Sequence, residues 1–146
     1  MKPTFKAQPM QVQVPATSAN LGPGFDCLGL ALNMHDRYMA QVMDEPGVDI
    51  DVTGEGADNV PTTDKNLVIK AMYKGFDFLG GRPRGIALRQ LNVIPHGRGL
   101  GSSAAAIVGG LALARALVLG GNERMSHEDM LNIANEMEGH PDNVSA

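Results

Sequence analysis

A chain of 146 residues with 43% apolar and 19% charged side chains is long enough to bury one core and too apolar to be disordered. Twelve basic residues against sixteen acidic ones leave a formal charge of −4, which excludes the basic field that a nucleic-acid partner needs. The 18 glycines and 9 prolines exceed the usual share of about 12%, so tight turns and close backbone approaches are expected.

In chain order, Met10, Val12 and Val14 alternate with Gln11 and Gln13, the pattern of a half-buried strand. Pro15–Asp26 is dense in Ala, Ser, Asn, Gly and Pro and reads as an ordered loop. Cys27–Leu32 is a short apolar run, read as a buried strand, and Arg37–Met43 as a further strand. Val48, Ile50 and Val52 alternate with Asp49, Asp51 and Thr53, a strand with one wet face. Gly54–Lys65 reads as a loop. The spacing of Leu67, Ala71 and Phe78 predicts a helix over Asn66–Leu79, stopped by Gly80 and Gly81. Ile86–Ile94 is strand-like, and Pro95–Gly101 is a glycine-rich loop. Ser102–Leu119 reads as a helix ended by Gly120 and Gly121. Ser126–Glu138 reads as another, with Ser126 as its cap and Asp129 as the acidic partner of a capping box. Gly139-His140-Pro141 stops it. Several strands with few helices between them, followed by two consecutive helices, make the chain α+β.

Cys27 is the only cysteine, so no intrachain disulfide forms, and the residue reads as small buried filler. Met1–Pro9 has two lysines and no apolar core, unlike a signal peptide. The longest apolar stretch, Ala104–Leu119, is broken by Gly109, Gly110 and Arg115 and is too short to span a bilayer. A soluble, cytoplasmic protein with no membrane or nucleic-acid partner is expected.

The chemistry concentrates in Pro95-His96-Gly97-Arg98-Gly99-Leu100-Gly101-Ser102-Ser103-Ala104-Ala105. Here a strand runs into three glycines, and a helix opens on two serines. A helix N-terminus presents unpaired N–H groups and a partial positive charge, and glycines let backbone approach an anion. That combination cradles phosphate. A P-loop would need a lysine before the serine, yet no lysine lies beyond Lys74. A dinucleotide fingerprint would need other glycine spacing and a strand after the helix. On these residues alone, a plain loop with Ser102 as an ordinary helix cap remains open.

Three segments, in order and over almost the whole chain, resemble known patterns. The eleven residues from Pro95 to Ala105 are similar at every position to the phosphate-binding motif of the GHMP kinases, the superfamily of galactokinase, homoserine kinase, mevalonate kinase and phosphomevalonate kinase. Val14-Pro15-Ala16-Thr17-Ser18-Ala19-Asn20-Leu21-Gly22-Pro23-Gly24-Phe25-Asp26 resembles the first motif of the homoserine kinase family. Glu138-Gly139-His140-Pro141-Asp142-Asn143-Val144 resembles the segment that this family carries after its second helix.

The resemblance implies the fold of the GHMP kinase N-terminal domain, a mixed sheet with helices on one face. It implies ATP and Mg²⁺ as cofactors, L-homoserine as substrate, and a step in threonine biosynthesis. Pro95–Ala105 would wrap the ATP phosphates. Ser103, or its neighbour Ser102, would help hold Mg²⁺, with Glu138 as the carboxylate on that metal. Glu136 points about 200° away from Glu138 on a helix, so only one of the two faces the site. Asn20 and Asp26 would bind homoserine, Asp26 through its ammonium group; without the motif both read as turn residues. His140 and Asn143 would lie near the substrate hydroxyl, with Asp142 between them to orient them or act as a base. Asn66 would serve as an adenine wall or simply as a helix cap, and His35 and His127 read as surface or loop residues. Family members are about twice this length, and their second domain completes the cleft. Residues 1–146 therefore read as a truncated N-terminal domain without the C-terminal one, of an enzyme that pairs as a homodimer at full length. Two other readings are another GHMP kinase with a different acceptor and an inactive nucleotide-binding fragment.

Overall fold

A computed structural model describes residues 2–15, 35–54, 56–93 and 102–138. Alternating inward and outward side chains build four strands: β1 (Met10–Pro15), β2 (His35–Met43), β3 (Gly47–Gly54) and β4 (Gly85–Asn92). They form one mixed sheet in the order β1-β2-β4-β3. Val12 of β1 faces Tyr38 of antiparallel β2, and Ala40 of β2 faces Leu88 of antiparallel β4. Ile50 of β3 lies beside Leu88 in parallel register. Parallel neighbours need a crossover, and α1 (Leu67–Phe78) supplies it, after a 3-10 turn at Ala57–Asn59.

The other helices are α2 (Ser102–Leu117), the short α3 (Gly121–Arg124) and α4 (His127–Glu138). The mixed sheet and the α+β class agree with the sequence reading. The expected strand at Cys27–Leu32 and residues 16–26 of the expected loop lie outside the described residues. Several boundaries differ: β4 runs from Gly85 to Asn92 instead of Ile86 to Ile94, and Gly54 closes β3 instead of opening a loop. β2 begins at His35, which is therefore a strand residue. Pro15 closes β1 instead of opening a loop. Helix α2 stops at Leu117, because Val118 pairs with Phe5. That bridge is fixed by Lys6 N–H donating to the Leu117 carbonyl at 2.7 Å and Leu119 N–H donating to Thr4 at 2.8 Å. The capping box of α4 forms as expected: Ser126 N–H donates to Asp129 Oδ2, and Asp129 N–H donates to Ser126 Oγ, both at 3.0 Å.

Val14, Tyr38, Ala40, Ile86 and Leu88 point inward and are buried beneath the helices. Gln11, Gln13, Arg37, Arg89, Asp49 and Asp51 point outward and are exposed. α2 lies centrally, touching α1, α4, β1 and β2. The sequence reading took Gly109 and Gly110 as interruptions of an apolar run; they are instead the seam of this packing. A Cβ on Gly109 would overlap the Tyr38 ring. A Cβ on Gly110 would lie 2.5 Å from the Val68 carbonyl oxygen and 2.6 Å from the Ala71 Cβ.

An exposed Gly→Ala change inside a helix stabilises by about 1 kcal/mol. At Gly110 the obstacle is backbone of α1, which cannot swing away. Gly110→Ala is therefore expected to destabilise by about 1–3 kcal/mol, as overpacking does. Denaturant unfolding with an unchanged or raised midpoint would contradict this packing.

Candidate functional site

The phosphate-loop candidate lies between the end of β4 and the start of α2. Pro95, His96, Gly97, Arg98, Gly99, Leu100 and Gly101 are outside the described residues, as are Asn20, Asp26, His140, Asp142 and Asn143. The structure places the flanks. Ser102 and Ser103 are the first two residues of α2, and Ala104 and Ala105 are buried behind them. Glu138 is the last residue of α4, which packs against α2. The backbone thus puts a helix start at the two serines and a helix end at the candidate metal acid.

The N-terminus of α2 suits an anion. The helix runs for 16 residues and has no acidic residue in its first turn to neutralise its positive end. The donor set suits Mg²⁺, since hydroxyl and carboxylate oxygens are the ligands a hard cation takes. Asn135, three residues before Glu138 in α4, has a buried Oδ1 with no hydrogen-bond partner among the described residues. An unsatisfied acceptor there fits a site that takes up donors, such as the water shell of a bound ion. Among the described residues no group of three or more His, Cys, Asp or Glu side chains could hold a metal on its own.

Near the end of β4 lies a row of buried polar groups, of which the sequence reading singled out only Asn66. Asn66 caps α1, its Oδ1 accepting from Val68 N–H at 2.8 Å and Ile69 N–H at 3.3 Å. Its amide donates to the Pro61 carbonyl at 2.9 Å and to Gln90 Oε1 at 3.0 Å. Gln90 in turn donates to Asn92 Oδ1 at 3.0 Å. Asn66 is therefore a structural cap tied to β4, as its plainer reading had it. On the β2 side, Asp36 Oδ1 accepts from Val93 N–H at 2.7 Å, and Tyr38 donates its hydroxyl to Asp36 Oδ2 at 2.9 Å. The signal was available: Asp36, Gln90 and Asn92 hold inward positions of strands where apolar residues alternate, and all crowd one end of the sheet.

Away from this end, a groove of about 270 Å³ between α2 and α4 is lined by Val108, Leu111, His127, Met130, Leu131 and Ala134. His127 is exposed at the start of α4, as expected of a surface residue. A wider cavity of about 400 Å³ lies between α1 and Met137, beside Lys70, Tyr73, Lys74 and Arg82. Arg82 is already bidentate to Asp77 at 2.9 Å and sits 4.4 Å from the centre of the Tyr73 ring. No helix among the described residues is long and apolar enough to cross a membrane.

With this geometry in view, comparison with known proteins defines the class. Residues 66–146 match the GHMP kinases N terminal domain, and the chain belongs to that family. A protein named homoserine kinase from Streptomyces coelicolor is 51% identical over 144 residues, covering 99% of this chain and 46% of that protein. The crystal structure of homoserine kinase from Cytophaga hutchinsonii superposes with a TM-score of 0.72 at 31% identity, over 97% of this chain and 46% of that one. The mevalonate kinase of Methanococcus jannaschii shares the fold, with a TM-score of 0.65 at 15% identity over 92% of this chain and 48% of that one. The chain spans about half the length of the curated relatives it matches.

Burial holds the Tyr38 hydroxyl far above the ordinary phenol range, with the Asp36 charge and their hydrogen bond adding to it. A group whose folded pKa is raised contributes stability that is complete below its unfolded value, about 10 for tyrosine, and is lost as pH rises beyond it. The protein is expected to lose stability progressively above about pH 10. Tyr38→Phe removes this part of the loss. Parallel alkaline unfolding curves for wild type and Tyr38→Phe would contradict it.

Proposed function

We propose that this chain is the nucleotide-binding part of a homoserine kinase, which transfers the γ-phosphoryl of ATP to the side-chain hydroxyl of L-homoserine in threonine biosynthesis. The observation that carries the reading is the 51% identity to a homoserine kinase along 99% of the chain, a span that includes the loop, the N-terminal motif and most of the C-terminal one. The mevalonate kinase likeness, at 15% identity, extends to the fold alone.

Bound ATP·Mg²⁺ supplies the phosphoryl group and a cation that neutralises charge between the phosphates. The residues of the chain position and stabilise. In this reading the backbone amides of Gly97–Gly101 and the first turn of α2 donate to phosphate oxygens, where glycine leaves room for close approach. Ser103, with Ser102 beside it, offers a hydroxyl and Glu138 a carboxylate from opposite helix ends as metal ligands. Asp26 pairs with the substrate ammonium, and Asn20 donates and accepts hydrogen bonds beside it. His140 and Asn143 hold the acceptor hydroxyl, and Asp142 orients them or takes its proton. Phosphoryl transfer passes through a loose transition state, so holding the hydroxyl in line and neutralising charge supply most of the acceleration. The ATP-binding domain is proposed to span residues 1–146, and the rest of the cleft to come from the second half seen in the relatives.

Three measurements test the assignment on the whole natural polypeptide. Among acceptor alcohols, homoserine is expected to be phosphorylated in preference to mevalonate; turnover of mevalonate alone would overturn it. Glu138→Gln is expected to lower kcat about 100-fold and to shift the Mg²⁺ dependence to higher concentration. Unchanged metal dependence would remove Glu138 from the metal. Asp26→Asn is expected to raise the homoserine KM about tenfold, the scale of one charge-assisted hydrogen bond, and to leave the ATP KM in place. A KM for homoserine that does not move would place the ammonium elsewhere.

A further inference from the structure

The inward face of β2 reads Asp36, Tyr38, Ala40, Val42, and its first member is a carboxylate that is 1% exposed. Burying a carboxylate costs several kcal/mol unless its hydrogen bonds repay it. An apolar side chain at this position would fill the same core without that cost. What the acid accomplishes is visible in two of its partners among the described residues. Its Oδ1 accepts the N–H of Val93 at 2.7 Å, and its Oδ2 accepts the Tyr38 hydroxyl at 2.9 Å. Val93 is the residue after the last of β4, where the ladder of the sheet gives out, and the chain leaves it for residues 94–101. Tyr38 is completely buried and lies against the Cα of Gly109, two turns into α2, so closely that no Cβ fits between them. Asp36 and Tyr38 together therefore touch the strand that leads into the loop and the helix that leads out of it.

Resting on the reading above, in which that loop binds the ATP phosphates, we propose that Asp36 is a positioning residue for the nucleotide, with Tyr38 as its support. The carboxylate fixes the direction in which the backbone leaves β4, and the tyrosine ring fixes how far α2 stands from β2. The first turn of α2, on which the phosphates rest in that reading, therefore stands at a set distance from the end of β4. A first turn that is displaced meets the phosphates in poorer geometry, and that loss subtracts directly from affinity. A residue that merely stabilises the fold changes the unfolding midpoint. A positioning residue also changes affinity for the one ligand whose loop it sets.

The test uses the whole natural polypeptide, with ATP·Mg²⁺ titrated calorimetrically and KM measured separately for ATP and homoserine. Asp36→Ala is expected to weaken ATP·Mg²⁺ about tenfold, the scale of one hydrogen bond to a charged group, with the homoserine KM within about twofold of wild type. Asp36→Asn can still accept from Val93 and donate to Tyr38, so it is expected to restore most of the ATP affinity. Tyr38→Phe leaves the bond to Val93 intact and is expected to weaken ATP about threefold, and it decides the matter if Asp36→Ala does not fold. Hydrogen exchange adds a readout independent of nucleotide: the Val93 amide should exchange faster in Asp36→Ala than in Asp36→Asn. Folded variants that bind ATP·Mg²⁺ as wild type does would overturn the positioning role while leaving the kinase reading intact. A wild-type protein that does not bind ATP·Mg²⁺ would overturn both, so the two failures are distinguishable.

Discussion

The central helix touches the sheet and its neighbouring helix through two residues that have no side chain. Gly109 lets the Tyr38 ring lie against the helix backbone, and Gly110 lets the carbonyl of Val68 and the methyl of Ala71 do the same from the other side. Close approach at these points multiplies the dispersion contacts of everything around them. It also fixes α2 against two elements at once, so the helix has neither room to slide nor room to roll. Glycine is a poor helix former, at about 1 kcal/mol below alanine, and the chain carries two in succession here because the seam needs them. The position of the first turn of α2, on which any anion would rest, follows from this seam. It is the packing of the middle of the helix that aims its end.

The polar groups at one end of the sheet complement that constraint. A sheet normally buries apolar residues on its inward face, and through most of this one it does. At the end of β2 and β4 the pattern changes to Asp36, Gln90 and Asn92; Gln90 ties Asn92 to Asn66 at the start of α1, and Asp36 holds Val93 and Tyr38. Each of these groups has hydrogen-bond partners, so the row rigidifies the region where the chain turns away from the sheet. Rigid scaffolding beside the proposed phosphate loop is the arrangement expected of a site that works by holding its ligands in place.

Most of the secondary structure was legible because the local signals agreed with the tertiary ones. Strict alternation announced β3, Asn66 and the glycine pair announced α1, and Ser126 with Asp129 announced the start of α4. The short turn of α3 and the early end of α2 were not legible, because the residues that fix them are distant: the strand-like pairing of Phe5 with Val118 joins parts of the chain over a hundred residues apart. The candidate site was legible as a motif, from the glycines, the serines and the two flanking segments. Its supporting framework was not, since Asp36 and Tyr38 act through partners at Val93 and Gly109 that no spacing rule connects. Gly109 and Gly110 were read for what they interrupt, when their meaning lay in what they touch.

The strand order carries a consequence for how the chain is made. β4 is the last of the described strands along the sequence, yet it lies between β2 and β3. Until residues 85–92 leave the ribosome, β3 lacks its one partner among the described strands, and β1 with β2 makes a two-stranded pair of the kind that is marginal in water. At about 5–20 residues per second, the nascent chain spends seconds with the edges of β2 and β3 open after β3 is complete. The charged outward residues Asp49 and Asp51 on β3 and Arg37 on β2 are exposed on these strands, where charge discourages pairing with other nascent chains. The same side chains that leave one face of the finished sheet wet thus guard its unfinished edges during synthesis.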